Sequence, residues 1–236
     1  MKEDTPMNRY VRLYFFSFLF AIITAFPMYV FASWQPEISI GIARGVSEIR
    51  FTATSGGLHI YADSGKKPIL IIPQGKEINV NIVHNNFFLN GDENKNDYLI
   101  IQLAVDGFIK VNGMPYRGYI KVLKKNGMTV VNNVPIEEYL YGVVPKEMPS
   151  GWSQEALRAQ SIAARTFALK NRKKHTAEGF DLCNTAHCQV YEGMSAETRA
   201  ATDAVNSTHG IVLFYKGTII DALFHTDSGG MTESSE

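Results

Sequence analysis

Three groups of residues in this sequence have side chains suited to chemistry. The first is Val144-Pro145-Lys146-Glu147-Met148-Pro149, where two prolines flank one carboxylate. Each proline fixes its own φ and restricts the residue before it, so the spacing predicts Glu147 on a stiff loop ahead of a helix. Tyr139, Tyr141, Met148 and Trp152 are close in sequence and supply apolar and aromatic walls. Apolar walls favour the protonated carboxyl that a general acid needs, whereas a helix N-terminus favours the anion. By residue type alone, an exposed turn glutamate is the competing assignment, because most glutamates are simply solvated.

The second group is His175, Cys183, His187 and Cys188. Two sulfur and two nitrogen donors satisfy tetrahedral zinc. The spacing is not that of a zinc finger, and the adjacent His187 and Cys188 share a metal only where the backbone turns. A Cys183–Cys188 disulfide and a pair of buried free thiols fit the same residues, and spacing leaves all three open. The third group is Phe224 to Glu233, in which His225, Asp227 and Ser228 precede Gly229-Gly230. A strand end running into a glycine loop suits the binding of a sugar. A hydrolase triad is excluded there, because the three side chains are too close in sequence and no nucleophile elbow is present.

These groups sit in a chain that reads as α+β, a strand-rich N-terminal part followed by two helices packed on further strands. Period-2 alternation marks strands at 34–75 and again at 99–134, with a polar loop expected at 85–98. Asn126-Gly127 is a strong hairpin signal. A short helix is expected at Ile136–Val144. The two longer helices begin at Ser153, a plausible N-cap, and at about Ala196, the second ending at Gly210. Strands are expected again at Ile211–Tyr215 and Ile219–Phe224.

The bulk numbers bound the class of protein. The 236 residues are 45% hydrophobic and 19% charged, enough for an ordinary core. Lys plus Arg and Asp plus Glu each number 23, so no basic excess argues for a nucleic-acid partner. With two cysteines the chain is not a disulfide scaffold. At the N-terminus, Arg9 and Arg12 precede an apolar run from Leu13 to Phe26, then Pro27 and Val30-Phe31-Ala32. That order predicts a secretory signal peptide over 1–32, cleaved after Ala32, or else a membrane anchor. Both place the remainder outside the cytoplasm, as a strand-rich segment at 33–98 and a domain at 99–236.

Five ordered blocks, Val134–Trp152, Glu155–Leu169, Gly179–Gly193, Thr202–Ile211 and Phe224–Ser234, together resemble the SpoIID/LytB domain family. The resemblance implies a cell-wall protein acting on peptidoglycan glycan strands. Sporulation members of the family are lytic transglycosylases of peptide-stripped strands, and LytB-type members are enhancers of a cell-wall amidase. It implies that Glu147 is catalytic and that His175, Cys183, His187 and Cys188 bind structural zinc, in preference to a disulfide. Tyr139, Tyr141, Trp152, Gln189, Tyr191, His225 and Ser228 are then candidates to line a sugar groove, although aromatics at helical spacing are more often core. The family domain is expected to continue beyond Glu236, so the C-terminal end reads as truncated.

Overall fold

The computed structural model describes residues 36–63, 65–224 and 230, which fall within one compact unit. The expected leader or anchor, His225 and Ser228 lie outside the described residues. The architecture is mixed α+β, with strands first and helices after them.

Among the described residues, twelve strands precede the helices: β1 (Glu37–Val46), β2 (Glu48–Ala53), β3 (Leu58–Ala62), β4 (Leu70–Ile72), β5 (Glu77–Val83), β6 (Asn86–Leu89), β7 (Asp92–Asn94), β8 (Tyr98–Leu103), β9 (Ile109–Val111), β10 (Met114–Tyr116), β11 (Tyr119–Lys124) and β12 (Met128–Pro135). They form a six-stranded sheet in the order β10-β9-β2-β5-β6-β7 and most of a seven-stranded sheet. The latter runs β13-β1-β12-β11-β8-β3-β4, where β13 (Leu182–Cys183) joins parallel to β1. This sheet takes strands from both sides of position 98. Alternation places Ile49 and Phe51 of β2 and Leu58 and Ile60 of β3 in one apolar cluster, while Arg50 stays exposed.

Residues 85–98 are not a loop. His84-Asn85 and Asn90-Gly91 have positive φ at both turn positions and fold that stretch into the hairpins β5–β6 and β6–β7. Phe87 and Leu89 bury their side chains between these polar turns. Asn126-Gly127, also with two positive φ values, returns β11 into β12 as expected.

Three α-helices follow among the described residues, α1 (Ile136–Glu147), α2 (Gln154–Lys170) and α3 (Arg199–Ser207). Helix α1 leaves β12 directly and runs three residues past the expected end at Val144. Pro145 lies in its last turn, where the missing N–H costs a single intrahelical bond, and Met148 N–H closes the end on Val144 O at 3.0 Å. Ser153 caps α2, its hydroxyl accepting from Ala156 N–H at 3.3 Å. Helix α3 begins at Arg199 because Thr198 takes the N-cap position, accepting from Ala201 N–H. The later strands are short, a hairpin of β14 (Phe214–Tyr215) and β15 (Thr218–Ile219).

Two devices lock the helices. Gly142 lets α1 approach the chain closely, since a Cβ there would lie 2.6 Å from Gly193 O and 2.9 Å from the Tyr191 ring. Arg165 of α2 and Glu137 of α1 form a buried, bidentate ion pair, with Nε–Oε1 2.9 Å and Nη2–Oε2 2.6 Å. The same guanidinium donates to the carbonyls of Val205 and Ile211 at 3.3 and 3.1 Å, and Glu137 Oε1 accepts from Gly210 N–H at 3.2 Å. This pair therefore joins three segments that the sequence keeps far apart.

Candidate metal centre and carboxylate cleft

The segment after α2 is tied to the sheet before it reaches the cysteines. Asp181 Oδ2 accepts from the Ser39 amide and hydroxyl at 3.0 and 2.8 Å, and Oδ1 accepts from Lys173 N–H at 3.0 Å. This seats β13 beside β1 and buries Cys183 at the sheet edge. Phe180 lies flat over Gly41, where any Cβ would meet its ring at 2.6 Å, and stacks on the His175 ring at 5.1 Å between centroids. Cys188 N–H donates to Thr185 O at 3.0 Å. That tight turn is what allows the adjacent His187 and Cys188 to face the same point.

The four donor atoms of His175, Cys183, His187 and Cys188 all lie within 4.8 Å of one another. Nδ1 of His187 sits 3.5 Å from Cys183 Sγ and 3.6 Å from Cys188 Sγ, and Nε2 of His175 sits 3.4 Å from Cys188 Sγ. Tetrahedral zinc, with Zn–S of about 2.3 Å and Zn–N of about 2.0–2.1 Å, sets S–N edges of about 3.5 Å. The donor set and its spacing therefore fit a closed four-coordinate ion. Both cysteines are free thiols in the structure, with no bond between them.

The outer partners fit the same chemistry. The Glu178 carboxylate lies 2.6 Å from His175 Nδ1 and accepts from Arg44 Nη1 at 2.9 Å. With the proton held on Nδ1, the Nε2 lone pair is directed at the sulfurs. The hydrogen bond from His175, then that from Arg44, holds the Glu178 carboxyl below its ordinary value. Burial pushes the Cys183 thiol up, but hydrogen bonds from the Thr185 hydroxyl and amide and from His187 outweigh it and bring the thiol down to about 6. Burial, with the Cys183 thiolate alongside, pushes Cys188 up to about 11.

Glu147 adjoins this centre. It lines a cleft of about 270 Å³ with Phe167, Lys174, Ala186, His187, Cys188, Val190, Leu223 and Phe224. The carboxylate ends α1 instead of standing on a free loop, and Oε1 accepts from Val190 N–H at 3.0 Å. Among the described residues Glu147 is the only carboxylate lining the cleft, whose walls mix the apolar Phe167, Val190, Leu223 and Phe224 with the polar groups of Lys174 and His187. Sequence reasoning missed Phe167, Lys174, Val190, Leu223 and Phe224. Glu178 was also missed, and its only signal is the three-residue spacing from His175.

The other candidates take different places. Tyr139, Gln189 and Tyr191 are fully packed in the core and do not line the cleft. The Tyr139 hydroxyl donates to Gln189 Oε1 at 3.1 Å, Gln189 Nε2 donates to Ala164 O at 3.3 Å, and Tyr191 donates to Asn132 Oδ1 at 2.8 Å. Their polar atoms are thus satisfied internally, which is what burial of such groups requires. Tyr141 donates to Asn206 Oδ1 at 2.7 Å and takes the Arg117 guanidinium over its ring. Trp152 is 55% exposed and lies outside the cleft lining. A wider cleft of about 710 Å³ opens at the other end of α1, beside Glu138 and Arg117, and holds none of the expected site residues.

Residues 124–215 match the family model described as stage II sporulation protein, SpoIID, a span that includes Glu147 and all four metal-cluster residues. An uncharacterized protein of Brachyspira hyodysenteriae is 40% identical over 133 residues, covering 56% of this chain and 36% of that protein. Stage II sporulation protein D of Bacillus subtilis is 40% identical over 121 residues, covering 45% of this chain and 35% of that one. An amidase enhancer of the same organism is 43% identical over 96 residues, 41% of this chain and 13% of its own length. The chain thus spans about a third or less of the length of these relatives.

Proposed function

We propose that this chain is an extracytoplasmic lytic transglycosylase of peptide-stripped peptidoglycan glycan strands, with Glu147 as its acid and base. The observation that carries this reading is Glu147, the one carboxylate among the described residues that lines the cleft. Glycosidases that use water need two carboxylates about 5–10 Å apart. A lytic transglycosylase needs one. Protonated Glu147 gives its proton to the glycosidic oxygen as the C1–O bond breaks. The C6 hydroxyl of the same muramic residue then bonds to C1 and returns its proton to Glu147, leaving a 1,6-anhydro end. The Val190 amide fixes Oε1 through both proton transfers.

His175, Cys183, His187 and Cys188 would hold a structural zinc ion, which supplies a closed cross-link with no open coordination position. Its place in this reading is to hold the 183–190 segment, and so the Val190 amide, against the end of α1. Similarity to a sporulation protein and to an amidase enhancer supports a role in cell-wall remodelling with an amidase as partner. The amidase-enhancer relative also favours a second reading, in which the chain binds glycan and stimulates an amidase without cleaving anything itself.

Mass spectrometry of products from peptide-free glycan strands, incubated with the full chain and with its Glu147→Gln variant, tests the proposal. Anhydro-muramic ends from wild type alone are expected. Hydrolytic ends carrying solvent oxygen would overturn the mechanism. Absence of products from both, with amidase stimulation surviving Glu147→Gln, would establish the enhancer reading instead.

A further inference from the structure

Lys174 is placed at the rim of the Glu147 cleft by the turn that follows α2. Its ammonium donates one long hydrogen bond, 3.4 Å, to His187 O. An ammonium has three donors, so most of its capacity is unused. Among the described residues no carboxylate lies within ion-pair distance of it, whereas Lys146, nearby in sequence to Glu147, is already paired with Glu192 at 3.1 Å. With a divalent ion bound, the two thiolates would neutralise it, so the loaded centre would supply no compensating charge. Among the described residues the cleft therefore presents one carboxylate and one cation that has no ion-pair partner.

We propose that Lys174 is a specificity-determining residue that reads the free lactyl carboxylate of muramic acid. This assignment rests on the glycan-strand reading above for the identity of the ligand. Where a stem peptide is attached, the lactyl carboxyl is consumed in an amide and carries no charge. Where the peptide has been removed it is an anion, and it is then the charged group that the muramic residue brings to the cleft. A charge-assisted bond between ammonium and carboxylate thus distinguishes stripped strands from peptide-bearing ones through one side chain. An exposed-rim hydrogen bond to a charged group corresponds to a preference of about tenfold.

The test compares peptide-free strands bearing the free lactyl carboxylate with the same strands converted to the methylamide. Wild type, Lys174→Met and Lys174→Arg are assayed as full chains for kcat/KM. Affinity is measured in parallel in the Glu147→Gln background, so that binding is read even without turnover. The expected result is a preference of about tenfold for the free carboxylate in wild type, falling to near one in Lys174→Met and restored in Lys174→Arg. Metal content equal to wild type checks that the neighbouring His175 site is intact in each variant. A preference that persists in Lys174→Met, or is lacking in wild type by both readouts, overturns the assignment. Preferential binding without cleavage would remove the transglycosylase reading while keeping Lys174 as the carboxylate reader. Discrimination governed by the stem peptide's own carboxylates would show with peptide-bearing strands and not with the methylamide pair, and it would also overturn the assignment.

Discussion

Replacing Arg165 by Met leaves the Glu137 carboxylate buried with only the Gly210 amide as a partner. The guanidinium is 1% and the carboxylate 4% exposed, so water cannot take over the lost contacts. The carbonyls of Val205 and Ile211 lose a donor in the same step. Breaking one side of a buried ion pair costs about 3–5 kcal/mol, and the two carbonyls belong to the same network and are not counted separately. Taking about 4 kcal/mol, the unfolding equilibrium moves about a thousandfold. For a domain of this size the same change lowers Tm by about 8–16 °C. Urea unfolding followed by circular dichroism and by tryptophan fluorescence gives the value directly. The double variant Arg165→Met/Glu137→Met separates the desolvated orphan charge from simple loss of contacts. Removing both charges should recover most of the loss, because an apolar pair of similar volume is often neutral or better. A single variant less than about 1 kcal/mol below wild type would refute this reasoning. A double variant at least as unstable as the single one would do the same.

Two further predictions rest on local geometry. With Cys183 at about 6 and Cys188 at about 11, zinc binding at pH 8 should release about one thiol proton, rising to about two at pH 5 as Cys183 also starts protonated. Ultraviolet absorbance of the thiolates in the metal-free protein counts how many start ionised at each pH, and a count that does not change with pH would contradict the assignment. Gly142→Ala would ordinarily stabilise a helix by about 1 kcal/mol, but its Cβ would stand 2.6 Å from Gly193 O, so a net loss of about 1–3 kcal/mol is expected. Chemical denaturation decides the sign, and a more stable variant would show that the two segments separate freely.

Local signals carried much of the fold to the page before any coordinates. The Ser153 cap, the Asn126-Gly127 turn and the switch from period 2 to period 3.6 after β12 each depend on neighbours in sequence, and each is visible there. The same reasoning failed where distant contacts outweigh local preference. Pro145 reads as a helix stop, yet in the last turn it removes one bond, so α1 carries on to deliver Glu147. The polar run at 85–98 hides two hairpins, because Phe87 and Leu89 are single apolar residues among turn formers. Tyr139, Gln189 and Tyr191 have groove-like side chains, but they satisfy one another and the backbone in the core. The metal cluster was legible as a set of donors but not as a geometry, since Glu178, the Thr185 turn and the Phe180 stack decide it. The cleft walls were least legible, as Phe167, Lys174 and Leu223 meet only through the packing of α2 against the segment before residue 225.

Cys188, Gln189 and Val190 are consecutive, yet they face three separate neighbours, the thiol towards the donor atoms of His175 and His187, the amide side chain to Tyr139 and Ala164, and the backbone N–H to Glu147. This tripeptide works as a gauge of fixed length. An extra residue in the exposed Lys216-Gly217 turn is absorbed by solvent-facing backbone. One inserted between Cys188 and Val190 takes about 3.3 Å of chain, more than the reach of the Val190 hydrogen bond, and puts at least one attachment out of step with the other two. Drift in length is therefore open to the hairpins and closed to these three positions, where donor cluster, core and carboxylate share one run of backbone.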